Sequence, residues 1–224
     1  MQRHFDQELN QLKEMLLTMA SHAEQSVTNA IKALTDHDDD LALQVKKDDS
    51  ILDEFEKDID EMAISLLALK APLATDLRLI TIAMKISHDL ERVGDEATTI
   101  SRRALELNKE PQLKPYVDIP RMAQMGLEML HDALDAFVNR DPAKARAIIP
   151  RDKDVDALNK QLHRELVSFV IENPTTITRA LNLMVISKSL ERIADHATNV
   201  AEEVVYLYEG TDIRHIKPTT PQAG

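Results

Sequence analysis

The sequence predicts an all-α protein made of two homologous antiparallel three-helix bundles related by a pseudo-twofold axis. Of its 224 residues only 4 are Gly, and none occurs before position 94, although the turns of β-rich and nucleotide-binding folds need glycine often. Aromatic residues make up 3% and charged residues 29% of the chain, which favours long helices over sheets. The third observation is an internal repeat at an offset of 100 residues.

Prolines and polar breaks divide the first half of the chain into three predicted helices. Residues 1–71 contain no proline, and the polar run from Thr35 to Asp40 supplies a break with N-cap candidates. Pro72 can open the third helix, because proline is favoured at the first helical position. The predicted helices cover about 3–35, 39–70 and 72–107.

The second half has the same organisation after a linker that contains three prolines. Asp141-Pro142 and Asn173-Pro174 are typical helix starts, and Pro150 predicts a kink or a break within the fifth helix. The predicted helices cover about 119–139, 141–172 and 174–209. The expected domains are a bundle at 1–109, a second at 110–209 that begins with the linker 110–120, and a C-terminal tail at 210–224 without regular structure at its end.

The repeat indicates a duplicated three-helix unit. Residues 84–98 and 184–198 are identical at nine of 15 positions. Further upstream, Met19-Ala20 recurs as Met122-Ala123. We therefore expect two similar bundles to pack around a pseudo-twofold axis.

The last helix of each copy carries an apolar stripe with steps of three and four residues, which predicts one buried helix face. In the first copy the stripe comprises Leu79, Ile82, Ile86, Leu90, Val93, Ala97, Ile100, Ala104 and Leu107. In the second copy it comprises Leu183, Ile186, Leu190, Ile193, Ala197, Val200, Val204 and Leu207.

Two acidic pairs lie one residue past these stripes, about 100° around the helix, so we expect them beside the core rather than in it. Residues four apart stack on one helix face, where like charges repel each other by roughly a few tenths of a kcal/mol. A bound cation would offset this repulsion, and carboxylate oxygens suit hard or borderline ions such as Mg²⁺, Mn²⁺, Ca²⁺ and iron. The pairs are Glu91 with Asp95 and Glu191 with Asp195.

A second set of acids, also four apart, stands on the preceding helices. An antiparallel neighbour can bring Asp49 and Asp53 towards the first pair, and Asp152 and Asp156 towards the second. These positions also suit the first turns of helices, where the helix dipole favours acids. Both interpretations stay open.

An ordinary surface role is the alternative for the E-x-x-x-D pairs. Arg92 and Arg192 stand three residues before the aspartates of the two pairs, and Lys188 stands three before the second glutamate. Such spacing is typical of ion pairs on a helix surface. His88 and His196 flank the pairs at non-equivalent positions, so we interpret both as surface residues.

Composition excludes several classes of site. The chain has no Cys, which rules out disulfides, thiolate metal sites and cysteine nucleophiles. A net charge of −12 disfavours binding to nucleic acid or anionic lipid. The longest apolar stretches, such as 64–69, are far below the about 18 residues of a membrane span, and the first residues lack an apolar signal core. We therefore expect a cytoplasmic protein without membrane insertion.

The repeated segments LERVGDEAT and LERIADHAT resemble the PhoU family, as do Leu73–Arg78 and the stretch Tyr208–His215. The resemblance extends from residue 1 to about 215 and implies two three-helix bundles, frequent homodimers and multinuclear metal clusters on the E-x-x-x-D faces. The bound ions are expected to be iron, manganese, zinc or magnesium. The ligands that the resemblance implies are Glu91 and Asp95 in one cluster and Glu191 and Asp195 in the other.

The resemblance also implies a regulator of phosphate uptake and phosphate-regulon signalling rather than an enzyme. Proteins of this family are adaptors that restrain a phosphate-specific ABC transporter, through its ATPase subunit, and pass the phosphate-replete signal to a sensor histidine kinase. Two alternatives remain open, a carboxylate-metal enzyme of helical-bundle type and a metal-free helical scaffold.

One departure from the family distinguishes the two clusters. Some members continue the acidic face with a further acid four residues on, where this chain has Thr99 and Asn199, with Arg103 and Glu203 beyond. A cation repels a metal ion. We therefore expect the second cluster to be the stronger metal site.

Overall fold

The computed structural model describes residues 2–70 and 72–214, and every regular element within these ranges is helical, which confirms the all-α class. The seven α-helices of the described residues are α1 (Gln2–Thr35), α2 (Asp39–Lys70), α3 (Ala74–Leu107), α4 (Asp118–Asn139), α5 (Pro142–Ile148), α6 (Asp152–Glu172) and α7 (Ile177–Glu209). Two 3₁₀ turns, Ile149–Arg151 and Pro174–Thr176, precede α6 and α7.

The helices form two bundles that meet along α3 and α7. Helices α1, α2 and α3 pack against one another in the first bundle, and α4, α6 and α7 form the second, with the short α5 against α4 and α7. Lys85 of α3 pairs with Glu203 of α7, and further along α3 Glu96 pairs with Arg192, so the two helices are antiparallel. The predicted pseudo-twofold pair of three-helix units is confirmed.

Asp141 and Asn173 cap the helical segments that begin at Pro142 and Pro174, as predicted. The Asp141 side chain accepts a hydrogen bond from the N–H of Lys144 at 2.9 Å, and Pro142 is the first residue of α5. The Asn173 side chain accepts one from the N–H two residues on, at 3.2 Å. Pro150 lies in the 3₁₀ turn between α5 and α6, which confirms the predicted break, because proline has no N–H for the helix ladder.

The structure differs in two places from the helix and tail boundaries that the sequence predicts. Pro72 precedes α3 instead of opening it, since the helix begins at Ala74 after an extended Leu73. After α7 the described chain continues without a helix to Arg214, and Ile213 packs against the core. The remainder of the predicted tail, 215–224, lies outside the described residues.

The core consists of the two predicted stripes and the apolar faces packed on them. Every stripe residue of α3 and α7 is buried, as predicted. Along residues 2–70 and 72–214, no helix unites the length with the apolar character that crossing a membrane requires.

Gly94 lies where α3 closely approaches α2. A Cβ at this position would lie 2.2 Å from Cδ1 of the buried Leu52 and 3.7 Å from Oδ1 of Asp49. Gly126 in α4 has more room, since its Cβ would lie 3.4 Å from Cγ2 of Ile193. The close contact with Leu52 explains a glycine in the middle of α3.

We expect Gly94→Ala to destabilise the protein and Gly126→Ala to be neutral or stabilising. Alanine is favoured over glycine by about 1 kcal/mol within a helix, but a methyl group forced into a packed core costs about 1–3 kcal/mol. Denaturant unfolding of the two variants measures both effects. Equal gains in stability would show that Leu52 moves aside freely.

Candidate metal centre

Acidic side chains of α2 and α3 meet along one face of the first bundle. Asp49 of α2 accepts a hydrogen bond from Oγ1 of Thr98 in α3 at 3.1 Å, and it interacts electrostatically with Asp95. Asp53 lies one turn further along α2 and is exposed. The antiparallel packing therefore brings Asp49 to the first E-x-x-x-D pair.

One turn further along this face, three side chains bring metal-ligating atoms together. Glu56 of α2 and His88 and Glu91 of α3 each offer one ligand atom, and these atoms lie within 4.8 Å of one another. Nδ1 of His88 is 3.0 Å from Oε1 of Glu56. A donor set of one imidazole and two carboxylates fits borderline ions such as zinc, manganese and ferrous iron.

The electrostatics of Glu91 also fit a bound cation. Burial raises the pKa of the Glu91 carboxyl, and the neighbouring charge of Asp95 raises it further. Its Oε2 atom is buried and accepts no hydrogen bond, with Nε of Arg92 at 3.4 Å. Arg92 instead donates to Asp95 at 2.9 Å. The cluster thus contains a buried carboxylate oxygen that a metal ion would satisfy.

The second bundle gathers four carboxylates from α6 and α7. Burial raises the pKa of Asp195 to about 6, and the charges of Glu191 and Asp152 add to this shift. Lys188 opposes the shift, and its Nζ donates a hydrogen bond to Glu191. Asp156 lies close to both Glu191 and Asp195. The ammonium group of Lys188 therefore lies among the carboxylates of this cluster.

The two α6 acids differ in environment. Burial raises the pKa of Asp152, and its Oδ1 is buried without a hydrogen-bond partner. The pKa of Asp156 is lowered, chiefly by the hydrogen bond that Lys160 donates at 2.9 Å. An uncompensated oxygen therefore lies on the Asp152 side of this cluster.

Glu191 lies one residue past the apolar stripe and is only 8% exposed, with Asp156 of α6 beside it. One expectation about the second cluster is wrong. Asn199 and Glu203 do not extend its acidic face, since Asn199 donates to Asp89 at 3.2 Å and Glu203 pairs with Lys85, both on α3. At 100° per residue, positions eight and twelve further on are rotated by about 80° and 120° from Glu191. Asn199 and Glu203 therefore give the second cluster no advantage as a metal site.

Two flanking residues also differ from the surface interpretation. Arg192 does not pair with Asp195 on its own helix but with Glu96 of α3, at 3.1 Å. His196 is half-buried, with Nδ1 2.8 Å from Oδ1 of Asp89 on α3. Both residues connect the two bundles.

Sequence reasoning missed Glu56 and His88 as ligand candidates. Glu56 follows Asp49 by seven residues and His88 precedes Glu91 by three, so each continues a predicted acidic face by one helical turn. The sequence signal for these two ligand candidates is that both acidic faces continue by one further turn. Whether Glu56 and His88 meet depends on the register of α2 against α3.

A protein-family model described as the PhoU domain matches residues 16–104 and 119–204. The chain belongs to the PhoU family. The two matched segments fall within the two bundles, so each bundle corresponds to one copy of the family's domain.

Similar proteins cover almost the whole chain. A "phosphate-specific transport system accessory protein PhoU homolog" of Pseudomonas aeruginosa is 42% identical over 215 residues, which is 96% of this chain and 89% of that protein. The homolog of Aquifex aeolicus is 43% identical over 208 residues, covering 93% of this chain and 94% of its own. The Escherichia coli K12 accessory protein PhoU is 34% identical over 212 residues, covering 95% and 88%.

Solved structures have the same fold. The crystal structure of PhoU from Pseudomonas aeruginosa has a TM-score of 0.89 and 41% identity, covering 92% of this chain and all 100% of that one. The phosphate transport system regulatory protein PhoU from Streptococcus pneumoniae has a TM-score of 0.87 and 28% identity, covering 93% and 99%.

The raised pKa of Asp195 predicts a pH-dependent effect of Asp195→Asn. Because the folded-state pKa is about 6 and the ordinary value is 3.8, the folded protein binds this proton more tightly than the unfolded chain. The ionised carboxyl therefore opposes folding at neutral pH, and its contribution to stability improves as the pH falls from about 7 to 4.

We expect Asp195→Asn to be more stable than the parent protein at about pH 7.5 and to lose this advantage towards about pH 4. Thermal unfolding across this pH range, in the presence of chelator, measures the difference. Asp58→Asn, at an exposed position of α2, is the control. A difference in stability between Asp195→Asn and the parent protein that stays constant with pH would contradict the raised pKa of Asp195.

Proposed function

We propose that this chain regulates phosphate uptake and phosphate-regulon signalling as a cytoplasmic adaptor. Its partners in this proposal are the ATPase subunit of a phosphate-specific ABC transporter and a sensor histidine kinase. The observation that carries the proposal is its similarity, over nearly the whole length, to proteins named as phosphate-specific transport system accessory proteins. Since both bundles match the family, both are expected to contribute.

In this proposal the chain restrains uptake when phosphate is abundant, acts as a homodimer and catalyses no reaction. Its role is to make contacts that depend on the state of the transporter. Sedimentation of the purified chain tests the dimer. Assays for metal-dependent turnover test the absence of catalysis.

Removing the gene for this chain from its own organism tests the regulatory part. In phosphate-rich medium we expect faster uptake of labelled phosphate and higher expression of phosphate-regulated genes, and a plasmid copy should reverse both. Binding of the purified chain to the ATPase subunit and to the kinase tests the adaptor part. Unaltered uptake and expression in the deletion strain would overturn the proposal.

The metal-binding part of the proposal concerns the two acidic clusters. An iron, manganese, zinc or magnesium ion would neutralise crowded carboxylates and order a surface that meets a partner. The buried oxygens of Glu91 and Asp152 that accept no hydrogen bond support this part. The candidate ligands from the sequence are Glu91, Asp95, Asp49 and Asp53 in the first cluster and Glu191, Asp195, Asp152 and Asp156 in the second.

We expect the double substitution Glu91→Ala with Asp95→Ala to reduce the manganese or iron content of the purified chain while leaving it folded. These carboxylates lie beside the core stripe, so their loss opens no large cavity. Glu54→Ala with Asp58→Ala, an exposed acidic pair of the same spacing on α2, is the matched control. Elemental analysis after dialysis and circular dichroism measure the two properties, and equal metal content in both variants would exclude these ligands.

A further inference from the structure

The two acidic clusters occupy equivalent places in the repeat but contain different residues. Equivalent positions are 100 apart between α3 and α7 and 103 apart between α2 and α6. The E-x-x-x-D pairs are common to both clusters, and Asp49 and Asp53 of α2 correspond to Asp152 and Asp156 of α6. At the two remaining ligand positions, Lys188 corresponds to His88 and Asn159 corresponds to Glu56.

Lys188 acts on all four carboxylates of the second cluster. Its Nζ donates a hydrogen bond to Glu191, and its positive charge lowers the pKa that burial raises at Asp152 and Asp195. The charge of Lys188 also lowers the pKa of Asp156. An ammonium group is a compact charge with three donors, so it supplies the positive charge that a metal ion would otherwise bring.

Asn159 further reduces the metal-binding capacity of the second cluster. Its Oδ1 accepts a hydrogen bond from Ser187 at 2.8 Å, and the side chain is buried. Glu56, its counterpart, offers a carboxylate oxygen 3.0 Å from Nδ1 of His88. The first cluster therefore has an additional carboxylate where the second has an amide that is already hydrogen-bonded.

From these differences we infer that the two clusters are filled differently: the first binds one transition-metal ion through Glu56, His88 and Glu91, and the second holds the Lys188 ammonium in place of an ion. This inference rests on the metal-binding part of the proposed function and narrows it to one bundle. An imidazole with two carboxylates selects zinc, manganese, cobalt or ferrous iron over magnesium and calcium.

Zinc and manganese titrations of the full chain, followed by elemental analysis after dialysis, test the inference. We expect about one ion per chain, and a loss of affinity on the order of tenfold or more for His88→Ala. His131→Ala is the matched control, because His131 is an exposed histidine on α4, outside both clusters. Two ions per chain, or an affinity unaffected by His88→Ala, would overturn the inference.

Exchanging the two equivalent residues gives a second, reciprocal test. His88→Lys should abolish binding by placing an ammonium in the first cluster, and Lys188→His should raise the content towards two ions. Both side chains are about half exposed, at 56% and 45%, so the variants are expected to fold, which circular dichroism checks. With cobalt as the probe, the visible absorption should disappear in His88→Lys.

The outcomes separate this inference from the proposed function. Binding that depends on Glu191 but not on His88 would overturn the inference and retain a metal site in the second bundle. An absence of binding would overturn both metal claims. Neither result bears on regulation of uptake, which the deletion strain measures independently.

Discussion

The packing of α3 against α7 determines where the other parts of the molecule lie. Both helices direct a continuous apolar stripe into the core, and ion pairs cross between them and define their antiparallel register. Because the stripes are committed to the core, the acidic face one residue further around must lie towards α2 in the first bundle and α6 in the second. This constraint turns two simple E-x-x-x-D pairs into clusters shared by two helices.

Each half must then stabilise carboxylates that are crowded and partly removed from water. Burial is the leading cause of the raised pKa values of Asp49 and Glu91 in the first cluster and of Asp152 and Asp195 in the second. Lys188 supplies a positive charge, whereas an imidazole at the equivalent position can offer a lone pair to a metal ion. In the first cluster Arg92 already pairs with Asp95 and lies 3.4 Å from Glu91, so the difference at this one position of the repeat exchanges a metal-ligating atom for a second cation.

The fold could be predicted from the sequence because its signals are local. Proline positions, caps and the three- and four-residue steps of the stripes specify the helices, and the repeat specifies their grouping. The composition of the clusters could not be predicted in the same way. Glu56 and His88 are 32 residues apart on different helices, and their contact depends on the register of α2 against α3. The prediction that Asn199 and Glu203 extend the acidic face of the second cluster is wrong because residues spaced by four drift around a straight α-helix.

The arrangement of the first cluster has a consequence for an adaptor. Glu56 belongs to α2, whereas His88 and Glu91 belong to α3, so an ion held by all three connects the two helices. Binding that requires the packed arrangement stabilises it in proportion to the logarithm of ion concentration over the dissociation constant. A ligand shifts a conformational equilibrium only through its different affinities for the two states. A metal ion in the first cluster would therefore stabilise the packing of α2 against α3. The second bundle, with Lys188 in its cluster, would not respond to the metal concentration.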